Sequence, residues 1–204
     1  MRPLFLSILS ASIVTVVPAV EHSAQATVFK NYKNESKCLG VSGGNMTPGT
    51  KLILWNCNGA PDQNWNFIPY ANGAFPQFPL SGSEYEQMWT GGASSPTGAP
   101  DDYSSRCIAL GNGLVFPKLA NVIIWNCNAE TTDQGWSAEY AGNDANGHQC
   151  YWLNNQKGDA IPPGYTFAGV STLSLADGFT SNGTAVVLNG VDSQNRPDQK
   201  WCAY

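Results

Sequence analysis

The sequence writes one pattern three times, and that repetition limits its fold more than any other feature. "DQNW" (62–65), "DQGW" (133–136) and "DQKW" (198–201) each close a segment built in the same order. Just upstream lie apolar, strand-like runs, "TKLILW" (50–55), "NVIIW" (121–125) and "TAVVLN" (184–189). Farther upstream lies a second matching set, "SKCLGV" (36–41), "SRCIAL" (105–110) and "VSTLSL" (170–175). A short unit made only of strands cannot bury its apolar face alone, so three copies predict a pseudo-threefold body in which they cover one another. The closing tryptophans, Trp65, Trp136 and Trp201, are the expected anchors of that core. The preceding glutamine offers an amide that can satisfy backbone groups at the adjoining turn.

Composition agrees with an all-β chain. The 204 residues include 21 Gly, 13 Pro and 7 Trp with no long helix-periodic run, as expected for short strands joined by turns. Only 12% of residues are charged and the net charge is −5, which argues against nucleic acid as a partner. The amino terminus reads differently. Met1-Arg2, the apolar run "LFLSILSASIVTVVPAV" and "AQA" at 24–26 predict a secretory signal peptide over 1–26, cut after Ala26. The mature chain would then be residues 27–204, secreted, with no later segment long and apolar enough to span a membrane.

All six cysteines lie beyond that cut, and an even number in an exported chain favours three disulfides. Cys38 and Cys57 occupy two places in the first repeat, and Cys107 and Cys127 the same two in the second. In the third repeat those places fall on Thr172 and Val191; joint loss is what a bonded pair predicts. The expected pairs are Cys38–Cys57 and Cys107–Cys127, leaving Cys150–Cys202 by elimination.

Three Gln-x-Trp endings in register, each after a Cys-Leu-x-Val-like strand and two with Trp-Asn-Cys-Asn, make the chain resemble the ricin B-type lectins, the (QxW)3 family. The resemblance implies a β-trefoil with repeats at about 30–69, 102–140 and 166–204. The closing tryptophans stand farther apart than the family's repeats of about forty residues allow. Two insertions, about 75–103 and 143–167, are therefore expected as long surface loops.

The resemblance also implies a sugar site on each repeat. The family grips vicinal hydroxyls with an Asp two residues after the first Cys and an Asn just before Gln-x-Trp. A polar strand residue adds a contact in some members, and an aromatic ring stacks on the sugar. Here the Asp position holds Gly40, Ala109 and Ser174, and the strand position holds Ile53, Ile123 and Val187. The stacking position keeps Trp55 and Trp125 but is Asn189 in the third repeat, and Asp62, Asp133 and Asp198 replace the Asn. The candidate carbohydrate-binding residues are thus Trp55, Asp62 and Gln63 in the first repeat and Trp125, Asp133 and Gln134 in the second. Two readings of Trp55 and Trp125 stand side by side: they cover the adjacent disulfide, or they stack a sugar whose hydroxyls Asp62 or Asp133 accepts.

Catalytic signals are weak. Glu84/Glu86 and Asp101/Asp102 read as solvated charge, and "DANG" (144–147) lacks the remaining ligands of a calcium loop. His148 is the single histidine of the mature chain, and there is no Gly-x-Ser-x-Gly elbow. No catalytic residue, metal or cofactor is expected. The expectation is a secreted lectin-like protein that binds a glycan or glycoprotein, alone or as the recognition subunit of a toxin or other partner chain. The alternative is a trefoil protein-interaction module, an inhibitor or assembly subunit, contacting its partner through "YEQMWTGG" (85–92) and "HQCYWLNN" (148–155).

Overall fold

The computed structural model describes residues 26–68, 87–91, 102–111, 120–128, 131–159, 171–190 and 196–204. The expected signal segment, the paired acids Glu84/Glu86 and Asp101, and much of both expected insertions lie outside these. The first set of strands is β1 (Thr27–Asn31), β2 (Asn34–Val41), β3 (Leu52–Asn56) and β4 (Asn64–Ile68). The second is β5 (Gln87–Thr90), β6 (Asp102–Leu110), β7 (Ala120–Cys127) and β8 (Trp136–Asn143). The third is β9 (Gln149–Asn155), β10 (Ser171–Leu175), β11 (Thr184–Gly190) and β12 (Trp201–Ala203).

In each set the middle two strands form a hairpin: β2 with β3, β6 with β7, β10 with β11. The hairpins close on one another, since β11 pairs with both β3 and β7 and Lys51 bridges to Ile123. The outer strands build the wall, in which β4, β1, β12, β9 and β8 pair in sequence and β5 adds to β4. The arrangement is a β-trefoil.

Equivalent side chains meet in threes inside it. Leu39, Ile108 and Leu173 are fully buried, as are Phe29, Met88 and Leu153, and the three closing tryptophans. Each indole N–H donates to the carbonyl of the residue after the first cysteine position: Trp65 to Leu39 at 3.0 Å, Trp136 to Ile108 at 3.0 Å, Trp201 to Leu173 at 3.1 Å. A ring so large can be fully buried because its one polar atom is satisfied. The repeats are also stitched together. Asn31 donates to the carbonyls of Asp198 and Lys200, and Asn155 repeats this on Asp133 and Gly135. A Cβ on Gly135 would stand 2.5 Å from the Gln156 side-chain oxygen, so a larger residue there would require the Gln156 side chain to shift.

Three disulfides, Cys38–Cys57, Cys107–Cys127 and Cys150–Cys202, are the pairs that the repeat spacing leads to. The first two tie the ends of a hairpin, and the third joins β9 to β12. Within the regions 75–103 and 143–167, expected as surface loops, the described residues include two strands. β5 and β9 are the first described strands of repeats two and three. Their apolar side chains face inward: Met88, Tyr151 and Leu153 are fully buried. Among the described residues no helix is long and apolar enough to cross a membrane.

Candidate functional site

The first hairpin carries an open cleft of about 500 Å³. Its lining comes from the end of β2 (Val41 to Gly44), from Ile53 and Trp55 on β3, from Asn58, and from Asp62 and Gln63 in the tight turn before β4. Gly183 of the third repeat closes one side. Trp55 stands opposite Cys38 in the ladder and is 42% exposed, so its ring is available to the cleft while Cys38 is fully buried and Cys57 half-buried. Gly43 and Gly44 have φ of 64° and 63°, a left-handed bend that leaves the floor without side chains.

Among the described residues Asp62 is the one ionisable side chain in this lining. The Val41 backbone N–H donates to its Oδ2 at 3.2 Å, which fixes the carboxylate beneath the strand end. A Cβ placed on Gly40 would lie 3.3 Å from that same Oδ2. The space that a side chain on position 40 would enter is therefore already taken by the Asp62 carboxylate, which comes from the turn and not from the strand. The cleft combines an aromatic face, an acceptor-only carboxylate and the Asn58 amide. Such a set can hold a polyhydroxylated ring by stacking and hydrogen bonds. A lone carboxylate provides no acid–base pair for cleaving one.

Gln63 lines the cleft, but its amide is engaged internally. It donates to the Asn56 carbonyl at 2.9 Å and accepts from Asn58 N–H at 3.0 Å. Gln134 does the same with Asn126 and Asn128, and accepts from Gln87 as well. In both glutamines the side-chain oxygen and one amide N–H position the turn that carries the aspartate.

The second repeat keeps the exposed ring, with Trp125 at 47%, and in it Asp133 is half-buried and Ala109 buried. The first-repeat turn leans on that ring: a Cβ on Gly49 would be 3.6 Å from Trp125 Cζ3. The third repeat is closed by its own side chains. Arg196 pairs with Asp198 through Nη2 at 2.7 Å and Nε at 3.2 Å, and the Ser174 hydroxyl donates to Asp198 at 3.2 Å. Asp198 is 4% exposed, and no aromatic replaces Trp55 there because Asn189 holds the place.

A separate polar cluster ties the turn between β8 and β9 to Tyr204. Asp144 accepts from the backbone N–H groups of Asn146 and His148, from the His148 ring and from the Tyr204 hydroxyl. Burial pushes the Asp144 carboxyl up, but the hydrogen bonds from Tyr204, His148 and Asn146 outweigh it and bring it down to about 2. Burial and the neighbouring Asp144 push the Tyr204 hydroxyl well above its ordinary value. Asp144, the first residue of "DANG", is thus consumed by internal bonds. Among the described residues no group of three or more His, Cys, Asp or Glu is placed to hold a metal ion.

The sequence reading missed Ser42, Gly43, Gly44, Asn58 and Gly183. The Gly-Gly pair after a strand was a visible signal for the open floor. Gly183 gave none, because it reaches the cleft from another repeat.

No protein-family model matches the sequence, and no curated protein matches it. Solved structures do resemble it. ThreeFoil, a designed 3-fold symmetric protein, superposes with a TM-score of 0.59 at 16% identity, over 87% of this chain and 96% of ThreeFoil. The Vibrio vulnificus hemolysin/cytolysin β-trefoil lectin, with N-acetyl-D-lactosamine bound, gives 0.52 at 17% identity, over 89% and 95%. A mosquitocidal holotoxin gives 0.58 at 16% identity over 89% of this chain, which spans only 17% of that toxin. At these identities the likeness establishes the β-trefoil fold.

Proposed function

We propose that this protein is a secreted, lectin-like trefoil of the ricin B type that binds a glycan in the first-repeat cleft, with a related site at Trp125 and Asp133. The observation that carries the reading is the pairing of a ring 42% exposed with a single fixed carboxylate across an open, glycine-floored cleft. An aromatic ring left so exposed on a disulfide-held hairpin adds little to folding, and stacking on a sugar accounts for it. In this reading Trp55 packs the apolar face of the sugar ring, Asp62 accepts two neighbouring hydroxyls, and Asn58 supplies a further polar contact. The third repeat, its Asp198 already neutralised by Arg196, contributes no site. The protein binds and does not catalyse, acting alone or as the recognition subunit of a toxin or other partner chain.

The protein-interaction alternative gains if the aromatics of the 85–90 and 150–155 segments form one flat patch away from Trp55 and Trp125. Met88 and Tyr151 are buried, and Trp89 and Trp152, half-buried on the same strands, are the side chains left to such a patch. The test is a glycan array with the folded protein beside Trp55→Ala and Asp62→Asn. Selective binding that falls by about tenfold in each variant, the scale of one stacking contact or one charged hydrogen bond, supports the reading. Binding unchanged in both variants, or none by the parent, would sink it.

A further inference from the structure

One row of side chains across the barrel wall is chemically incomplete. The registers of β1 with β12, β12 with β9 and β9 with β8 place Tyr32, Lys200, Trp152 and Glu139 side by side on four neighbouring strands or their ends. The Tyr32 N–H donates to the Lys200 carbonyl at 3.0 Å, continuing the ladder by one step. The adjacent row, Asn31, Trp201 and Tyr151, is fully buried, so strand alternation turns this one outward. The Lys200 ammonium lies 5.1 Å from the Tyr32 ring centroid and 5.9 Å from that of Trp152. The residue is only 7% exposed, yet among the described residues no carboxylate pairs with it. Glu139 is on the far side of Trp152 and accepts from Asn154 Nδ2 at 3.2 Å.

An independent observation falls on the same surface. Among the described residues, the buried side-chain atoms without a hydrogen-bond partner are Trp152 Nε1, Asn154 Oδ1 and Gln156 Oε1. Trp152 and Asn154 occupy alternate positions on β9, hence one face, and Gln156 begins the short helical turn Gln156–Asp159 that follows. Asn154 is 3% exposed, and turning its amide over would set its oxygen against the Glu139 carboxylate. A cation between two rings, an unpaired indole N–H and unpaired amide oxygens together want an anion and a hydroxyl.

We propose that this row is a second binding site, distinct from the clefts, for an acidic sugar. The carboxylate of the sugar pairs with Lys200, its ring lies against Tyr32 and Trp152, and a hydroxyl donates toward Asn154 Oδ1. A hydroxylated ring fits better than an acidic peptide side chain, because hydroxyls donate as well as accept and ionised Asp or Glu only accept. The net charge of −5 repels extended polyanions, which favours a ligand carrying a single charge.

The experiment is calorimetric titration of the folded protein with 3′-sialyllactose and glucuronic acid, with lactose and hexaglutamate as comparisons. Lys200→Met keeps the aliphatic stem, Trp152→Phe keeps most of the packing, and Lys51→Met removes an exposed positive charge elsewhere on the barrel. The expected result is 3′-sialyllactose bound at least about tenfold more tightly than lactose, and weakened as salt rises from about 50 to about 300 mM. Lys200→Met should lose about tenfold or more of that affinity, and Lys51→Met none. If Lys200→Met does not fold, the salt dependence and Trp152→Phe carry the decision. Equal affinity for lactose, an unchanged Lys200→Met, or no heat with either acidic sugar overturns the proposal. So does hexaglutamate binding that needs Lys200 while both sugars fail, which would assign the row to an acidic protein partner.

Discussion

Replacing Gly40 with aspartate would put a second carboxylate into the space Asp62 already fills. A Cβ at position 40 meets Gln63 Cγ at 3.1 Å and Asp62 Oδ2 at 3.3 Å, so the new carboxylate sits within about 4 Å of the old one. Two like charges at that distance repel by about 4 kcal/mol at an effective dielectric of 20. Asp62 is half-buried, and screening with rotamer adjustment reduces this to about 1–2 kcal/mol. Gly40→Asn carries the same bulk without the charge and isolates the steric part. For a domain of this size 1 kcal/mol moves Tm by about 2–4 °C, so Gly40→Asp should melt about 2–8 °C below Gly40→Asn at pH 7. The double variant Gly40→Asp/Asp62→Asn should return to the Gly40→Asn value, and should keep glycan binding if the carboxylate has only changed its origin. Repulsion raises the folded-state pKa of the pair, so the penalty exists above that pKa and disappears as pH falls below it. Melting curves followed by circular dichroism at pH 7 and pH 3 decide the matter. Equal Tm for Gly40→Asp and Gly40→Asn at pH 7, or a gap that survives at pH 3, would refute the claim that Asp62 occupies the vacated place.

Two further outcomes follow from the packing. Trp136→Phe removes the indole donor from the Ile108 carbonyl and opens space in a fully buried position, so denaturant titration should give a loss of about 2–4 kcal/mol. Trp125→Phe, with its ring 47% exposed, should lie within about 0.5 kcal/mol of the parent, and similar losses for the two would count against the core assignment. Asp144 is brought from 3.8 to about 2 by its hydrogen bonds, so its contribution is fully present above about pH 4 and lost as pH falls toward 2. Asp144→Asn should therefore destabilise the protein at pH 6 and approach the parent near pH 2; parallel stability curves would show that the Asp144–His148–Tyr204 cluster is not coupled to folding.

What the sequence determined by itself was the part written in threes. A short strand unit repeated with Gln-x-Trp endings has one way to hide three tryptophans, and the spacing of Cys38, Cys57, Cys107 and Cys127 follows from the hairpins it makes. The first strands of repeats two and three were harder to read. In repeat one, β1 and β2 are separated by the two residues Tyr32 and Lys33, whereas β5 ends at Thr90 with β6 beginning at Asp102, and β9 ends at Asn155 with β10 beginning at Ser171. With the partner strand that far along the chain, "QMWT" and "QCYWLNN" lose the strand–turn–strand pattern and look like loop. Only the tertiary structure decided the sites, because each is composed across repeats. Gly183 walls a cleft that belongs to repeat one, and Asp62 fills the space beside Gly40 although the two lie on different elements. Lys200 stands between rings from β9 and the β1–β2 turn. Side-chain chemistry is local and legible in sequence, but which groups face each other depends on strand register and on how three repeats close around one axis.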